Sequence, residues 1–166
     1  YNKAIEIARN NNDASGVAAL EKNGPPPYKK EDSSKAILYL GYLNTAMQQN
    51  TSITGPQPSV FDGILSPELS FNDEIGAFLG VSDTYARVMP DAYTIDLRER
   101  ASKIQIPYYV LQGRHDLNAS NQLVEEYMKK LDSPKKELIW FEHSGHSPWA
   151  SESKDFVEKV RQITNS

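Results

Sequence analysis

Two short apolar runs govern what this chain can fold into. The first, Ile106-Pro107-Tyr108-Tyr109-Val110-Leu111-Gln112, stops at Gly113 and leads into Arg114-His115-Asp116. The second, Glu137-Leu138-Ile139-Trp140-Phe141-Glu142, leads into His143-Ser144-Gly145-His146. Both are too short for an ordinary helix and rich in Val, Ile and aromatic residues, so strands are expected over about 107–112 and 136–142. Between them, Leu123, Val124, Tyr127, Met128 and Leu131 share one face of a helix over 120–131 that Ser120 can cap and Ser133-Pro134 ends. A last helix is expected over 150–164 with Phe156, Val157, Val160 and Ile163 turned inward. Apolar strands joined through a helix make a parallel α/β unit, not a hairpin. Two parallel strands cannot shield both of their faces. Residues 96–166 therefore read as the closing βαβα unit of a larger sheet, whose other strands another chain segment must supply.

Residues 1–95 have another character, with no alternation of period two. Ala4, Ile5, Ile7 and Ala8 predict a short amphipathic helix over 3–11. Asp13 can cap a second helix through Ala14–Leu20 that Asn23-Gly24 closes, and Pro25-Pro26-Pro27 predicts a stiff extended connector. Asp32 or Ser33 then caps a longer helix. Its apolar residues (Ala36, Ile37, Leu38, Tyr39, Leu40, Tyr42, Leu43, Met47) lie nearly all round, which predicts cover on more than one side. Turn signals fill 50–67, and two short helices are expected over 70–79 and 82–89, ended by Pro90. The chain thus divides into a helical subdomain, 1–95, and an α/β segment, 96–166.

Composition excludes several classes of function. Eighteen Lys and Arg are interspersed with 22 Asp and Glu, for a net charge of −4. With no basic stripe, neither nucleic acid nor an anionic membrane is an expected partner. No apolar stretch approaches the ~20 residues a membrane helix requires. The absence of cysteine removes disulfides, thiolate chemistry and cysteine-based zinc sites, and leaves the compartment open. The chain opens at Tyr1-Asn2-Lys3, already inside a helical pattern, with neither Met nor a signal-peptide pattern, and is expected to be a fragment of a longer protein.

The carboxyl ends of parallel strands are where ligand-facing and catalytic side chains gather. Asp116 follows the first strand. Alone, an acid there is ordinarily a turn residue or a helix cap. With His146 behind the second strand, a different role opens: a buried carboxylate accepts the imidazole N–H, fixes its tautomer and stabilises its cation. Gly145 is expected to let the backbone turn sharply so that the ring stands over the sheet edge. His146 would then take a proton from a hydroxyl and return it to a leaving group. His115 and His143 read as surface-loop residues. A metal site built from the three histidines and Asp116 has little support, because no ligand pair of the H-E-x-x-H kind is present. The third member of such a machine, a Ser in a G-x-S-x-G turn, occurs nowhere in the 166 residues.

Gly113-Arg114-His115-Asp116 and Gly145-His146-Ser147-Pro148-Trp149, with the runs Leu111-Gln112 and Glu137–Phe141, resemble the last two core strands of α/β-hydrolases. Gly24-Pro25-Pro26-Pro27-Tyr28 is similar to the lid of the proline iminopeptidase-like branch. The resemblance implies a partial α/β-hydrolase, with a helical lid over 1–95 and the last βαβα unit of the core over 96–166. It also implies Asp116 as triad acid, His146 as triad base, and no metal or organic cofactor. The family's nucleophile elbow and His-Gly-Gly oxyanion loop precede the lid and are not in this sequence, so the isolated chain is expected to be inactive. Its parent would be a serine hydrolase working through an acyl-enzyme, on peptides with amino-terminal proline or another small apolar residue. An esterase or amidase acting on small acyl groups is the alternative.

In aminopeptidases of this resemblance, acidic lid residues hold the substrate amine. Glu68, Asp73, Glu74 and Asp83 are candidates, although each also fits a solvated helix face. Tyr39, Tyr42, Phe61, Phe71, Phe78 and Tyr85 could wall a pocket or simply form lid core. The expected partners are a small peptide or ester and the missing amino-terminal half of the core. A reading from another class makes the helical region a non-catalytic binding or self-association module, with two copies pairing through an open sheet edge as a homodimer.

Overall fold

The computed structural model describes residues 1–32, 34–58 and 70–165, and the side chains of all of these except Phe78, Val81 and Ser82. The chain forms two compact units, Tyr1–Ala46 with Ser59–Ile95, and Met47–Pro58 with Asp96–Ser166. Segment 47–58, which the sequence groups with the helical region, thus belongs to the second unit.

The first unit contains α1 (Asn2–Asn10), α2 (Ala14–Asn23), a 3-10 turn (Lys30–Asp32), most of α3 (Lys35–Gln48) and α4 (Phe71–Ala92). Its described residues hold no strand. α1 and α2 pack through Ala4, Ala8 and Leu20, all fully or almost fully buried. Asp13 caps α2: its Oδ1 accepts from the Gly16 N–H at 2.8 Å, and its Oδ2 accepts from the Tyr42 hydroxyl. α2 ends at Gly24, with φ 70°. The connector after it is not straight: the chain bends at Pro25 and Pro26, and the Pro26–Pro27 peptide bond is cis.

Three expectations for this unit need correction. α3 is not covered on more than one side, since only Ala36, Leu43 and Met47 are buried while Ile37 is 57% exposed. Those three recur along one stripe, and the remaining apolar residues reach only half-burial. Asp32, one of two expected caps for α3, lies instead in the 3-10 turn and pairs with Lys35 at 2.8 Å, and Ser33 lies outside the described residues. Finally, residues 71–92 form one helix, not two. A capping box starts it, the Ser70 Oγ accepting from the Asp73 N–H and the Asp73 carboxylate accepting from Ser70. Gly76 and Gly80 stand in open space, where each costs about 1 kcal/mol but breaks nothing. Pro90 falls in the last turn, where little helix remains to be lost. The turn signals of 59–67, with Phe61 and Glu68, lie outside the described residues.

The second unit contains α5 (Leu97–Arg100), β1 (Tyr108–Gly113), α6 (Asn121–Lys130), β2 (Lys136–Phe141), α7 (Pro148–Ser151) and α8 (Ser153–Thr164). β1 and β2 pair in parallel, from Tyr108 opposite Lys136 to Gly113 opposite Phe141. Ser120 caps α6 by accepting from the Leu123 N–H. At the other end, the Lys136 ammonium donates to the Met128 and Leu131 carbonyls at 2.7 and 2.6 Å, where the helix leaves carbonyls unpaired. Tyr127, Met128 and Leu131 form the buried core, packed against Tyr108, Val110 and Leu138 on one sheet face. Phe141, three residues beyond Leu138, turns to the other face and meets Phe156 of α8 at 5.7 Å between ring centroids. This is a partial α/β fold, a two-stranded parallel sheet with a helix against each face.

The expected last helix is two, α7 and α8, joined at Glu152. Its inward face is only partly met. Phe156 and Ile163 are half-buried, but Val157 and Val160 are 47% and 37% exposed. Two strands offer too narrow a surface to cover a twelve-residue helix.

Candidate active site

The loops that leave β1 and β2 interlock through their backbones. The Arg114 N–H donates to the Phe141 carbonyl, and the His115 N–H to the Ser144 carbonyl, both at 2.9 Å. This requires glycine at 113. A Cβ built there would lie 1.9 Å from the Gly145 carbonyl oxygen. At Gly145 the backbone bends, as the sequence suggests. This glycine is not among the left-handed glycines, but a Cβ on it would meet Gln57 at 2.6 Å, Ile53 at 3.2 Å and Met47 at 3.3 Å. Segment 47–58 thus clasps both loops. The Thr54 N–H donates to the His143 carbonyl at 3.0 Å, and the Leu117 N–H points to the Met47 Sδ at 3.4 Å.

The interlock brings Asp116 and His146 together. Asp116 is buried, with 5% of its side chain exposed, whereas half of the His146 ring is open. The Asp116 Oδ2 lies 2.9 Å from the His146 Nδ1. Its Oδ1 accepts from the Asn118 and Ala119 N–H groups at 2.8 and 3.0 Å. With Nδ1–H donated to the carboxylate, Nε2 is the basic nitrogen. Among the described residues none hydrogen-bonds to Nε2.

The pair sets its own protonation. Burial pushes the Asp116 carboxyl up, but the hydrogen bond from His146, those from the backbone of Ala119 and Asn118, and the imidazolium charge outweigh it, so the group stays below the ordinary 3.8. The hydrogen bond to Asp116 raises His146 above 6.5 against the opposing effect of burial, and the carboxylate charge adds to the rise. The consequence for stability follows from the two signs. His146, raised by folding, contributes fully below its unfolded value near 6.5, and this is lost as pH climbs through its folded value. Asp116, lowered by folding, contributes above its unfolded value near 3.8, and this is lost as pH falls through its folded value. Urea midpoints of the 166-residue chain should therefore show a loss on the alkaline side of pH 6.5 that His146→Ala lacks. Parallel pH profiles for the two proteins would show that the pair is not coupled to folding.

Sequence reasoning misses two supports. Gln112, buried in β1, donates from Nε2 to the Asn121 Oδ1 at 2.9 Å and approaches the Asp116 Oδ2 at 3.3 Å. Asn121 in turn donates to the Arg114 carbonyl at 2.8 Å, tying the loop after β1 to the start of α6. A Gln at the end of an apolar run was the available signal, because buried amides need partners. The second support is Glu152 with Ser144 and Ser151, which no spacing rule marks.

The other candidates fall elsewhere. His115 is half-buried, and His143 is exposed with its Nδ1 3.4 Å from the Ser52 carbonyl. Among the described residues no three His, Cys, Asp or Glu side chains gather as a metal site would require. In the helical unit, Asp73 is held by its capping box and Asp83 pairs with Arg87 at 2.7 Å, while Glu74 is half-exposed. Tyr42 is committed to Asp13, and Phe71 is 73% exposed. Burial, reinforced by the neighbouring Tyr93 phenol, pushes Tyr39 up to about 12, and burial raises Tyr85 as well. Both residues are half-buried. The Phe78 side chain is not among those described.

No family model matches the chain. It is 27% identical over 70 residues to "Probable aminopeptidase YbaC" of Bacillus subtilis (strain 168), covering 42% of this chain and 22% of that protein. It is 25% identical over 126 residues to "Carboxylesterase" of the same organism, covering 76% of this chain and 46% of that protein. A solved structure described as "Est816 as an N-Acyl homoserine lactone degrading enzyme" aligns with 87% of this chain and 53% of its own, at 19% identity and a TM-score of 0.45. The chain spans less than half the length of either curated relative. Both of those relatives have hydrolase names.

Proposed function

We propose that Asp116 and His146 are the acid and base of a serine-type hydrolase that works through an acyl-enzyme. The observation that carries this reading is the buried Asp116 carboxylate 2.9 Å from Nδ1 of a half-open imidazole whose other nitrogen is unpaired among the described residues. His146 Nε2 takes the proton from a nucleophilic hydroxyl as that oxygen attacks the substrate carbonyl. It then gives the proton to the leaving group, and repeats the cycle with water to release the acid. Asp116 holds the ring in the required tautomer and stabilises its cation at each step. The nucleophile and its oxyanion donors come from a part of the parent protein outside these 166 residues, which contain no G-x-S-x-G turn.

For the substrate, an ester or amide of a small acyl group is the better-supported class. Asp73 and Asp83, two of the acids that could have held a peptide's free amine, are engaged within their own helix, and the likeness of greater extent is to a carboxylesterase. A peptide with amino-terminal proline or another small apolar residue is the second reading, favoured by the aminopeptidase likeness. The test compares the parent protein with the isolated chain, using p-nitrophenyl esters of short acids and amino-acid arylamides, prolyl included. The parent should turn over the short esters and the isolated chain should stay at background. Preferred turnover of the prolyl arylamide would move the parent to the second reading. His146-dependent turnover by the 166 residues alone would overturn an external nucleophile.

A further inference from the structure

The loop that carries His146 is held from behind by a carboxylate. Glu152, at the joint between α7 and α8, accepts through one oxygen, Oε2, from two groups of that loop. These are the Ser144 hydroxyl at 2.5 Å and the His143 backbone N–H at 3.0 Å. Ser144 is fully buried. Its hydroxyl also accepts from the Ser151 Oγ at 2.7 Å, and its carbonyl takes the His115 N–H at 2.9 Å. Ser144 therefore joins the carboxylate to the Asp116 loop on one side and to the His146 loop on the other. Hydrogen bonds to an ionised acceptor are short and strong, and a buried hydroxyl deprived of its acceptor carries a full desolvation cost.

We propose that Glu152 is a positioning residue for His146, setting the ring's distance to Asp116 by fixing Ser144 and the His143 N–H. It touches neither substrate nor reacting atoms. As a role in catalysis this rests on the reading of His146 as the base. As geometry it does not, so the test reads the imidazole directly and leaves activity aside.

The experiment follows the His146 ring by NMR across a pH titration of the 166-residue chain and three variants. Glu152→Gln keeps an oxygen that can accept both hydrogen bonds but removes the charge, and should keep the His146 midpoint close to that of the unmodified chain. Glu152→Ala removes the acceptor and should lower the midpoint by about half a pH unit or more as the Asp116 contact loosens. Ser144→Ala removes one of the two bonds and should give an intermediate shift, and it decides the matter if Glu152→Ala does not fold. Equal shifts in Glu152→Gln and Glu152→Ala would mean that Glu152 acts through its charge alone, and would overturn the proposal. So would an unshifted ring in Ser144→Ala. Loss of the hydrolase reading would appear elsewhere, as a parent protein indifferent to His146→Ala, with these titrations unchanged.

Discussion

His146→Ala in the parent protein should lower kcat by about 10⁴- to 10⁶-fold with little change in KM. In the proposed mechanism the ring moves the proton in both half-reactions, so its loss removes a transition-state interaction and little ground-state binding. Asp116→Asn should cost about 10⁴-fold for a different reason. An amide in the Asp116 position can present its N–H toward Nδ1, which favours the tautomer with the proton on Nε2 and leaves no base facing the nucleophile. The surroundings sharpen this expectation. The Oδ1 of Asp116 is already committed to the Asn118 and Ala119 N–H groups, so the oxygen of an Asn is drawn there and its NH₂ is left facing His146. Because the groups act as a unit, the double variant should be no slower than His146→Ala alone. Steady-state kinetics on a short-chain ester measure all three. A His146→Ala parent within about tenfold of the unmodified enzyme would remove the ring from the chemistry.

The parts of this arrangement that were legible in sequence are those with a local cause. β1 and β2 follow from apolar runs, and α6 from a Ser120 cap and a single apolar face. That Asp116 and His146 could meet followed from topology, since each leaves a strand at the same end of a parallel pair. The rest depends on neighbours distant in the chain. Met47 and Leu117 are 70 positions apart, and nothing in the segment around Met47 announces that it will clasp the loops after the strands. Glu152 reads as an ordinary helix-start acid until Ser144 is seen to be buried against it. Val157 and Val160 carry a correct helical period, but period says only which side of α8 is apolar, not what stands opposite. The bend at Gly145 is legible in the sequence, but the Gln57, Ile53 and Met47 side chains that crowd it are not.

Gly113→Ala should be the most damaging single methyl group in the second unit, costing about 3 kcal/mol or more of stability. The new Cβ would stand 1.9 Å from the Gly145 oxygen, 2.7 Å from the Ser144 oxygen and 2.9 Å from the Gly145 carbonyl carbon. All three are backbone atoms, so no side-chain rotation relieves the clash. Gly113 is paired with Phe141 at the end of the sheet, and its own carbonyl accepts from the Asp116 N–H at 3.3 Å. Relief must therefore come either from parting the last pair of the sheet or from pushing the 144–145 backbone outward. The second route carries His146 away from Asp116, so the variant that survives should also have its His146 titration midpoint returned toward 6.5. Gly145→Ala is the matched control. Its Cβ would meet the tips of the Gln57, Ile53 and Met47 side chains, which can move, so a cost of about 1 kcal/mol is expected. Urea unfolding of the two variants separates the cases. If Gly113→Ala were as stable as Gly145→Ala and kept the raised histidine, the crossing of the two loops would not be what holds the acid and the imidazole at hydrogen-bond distance.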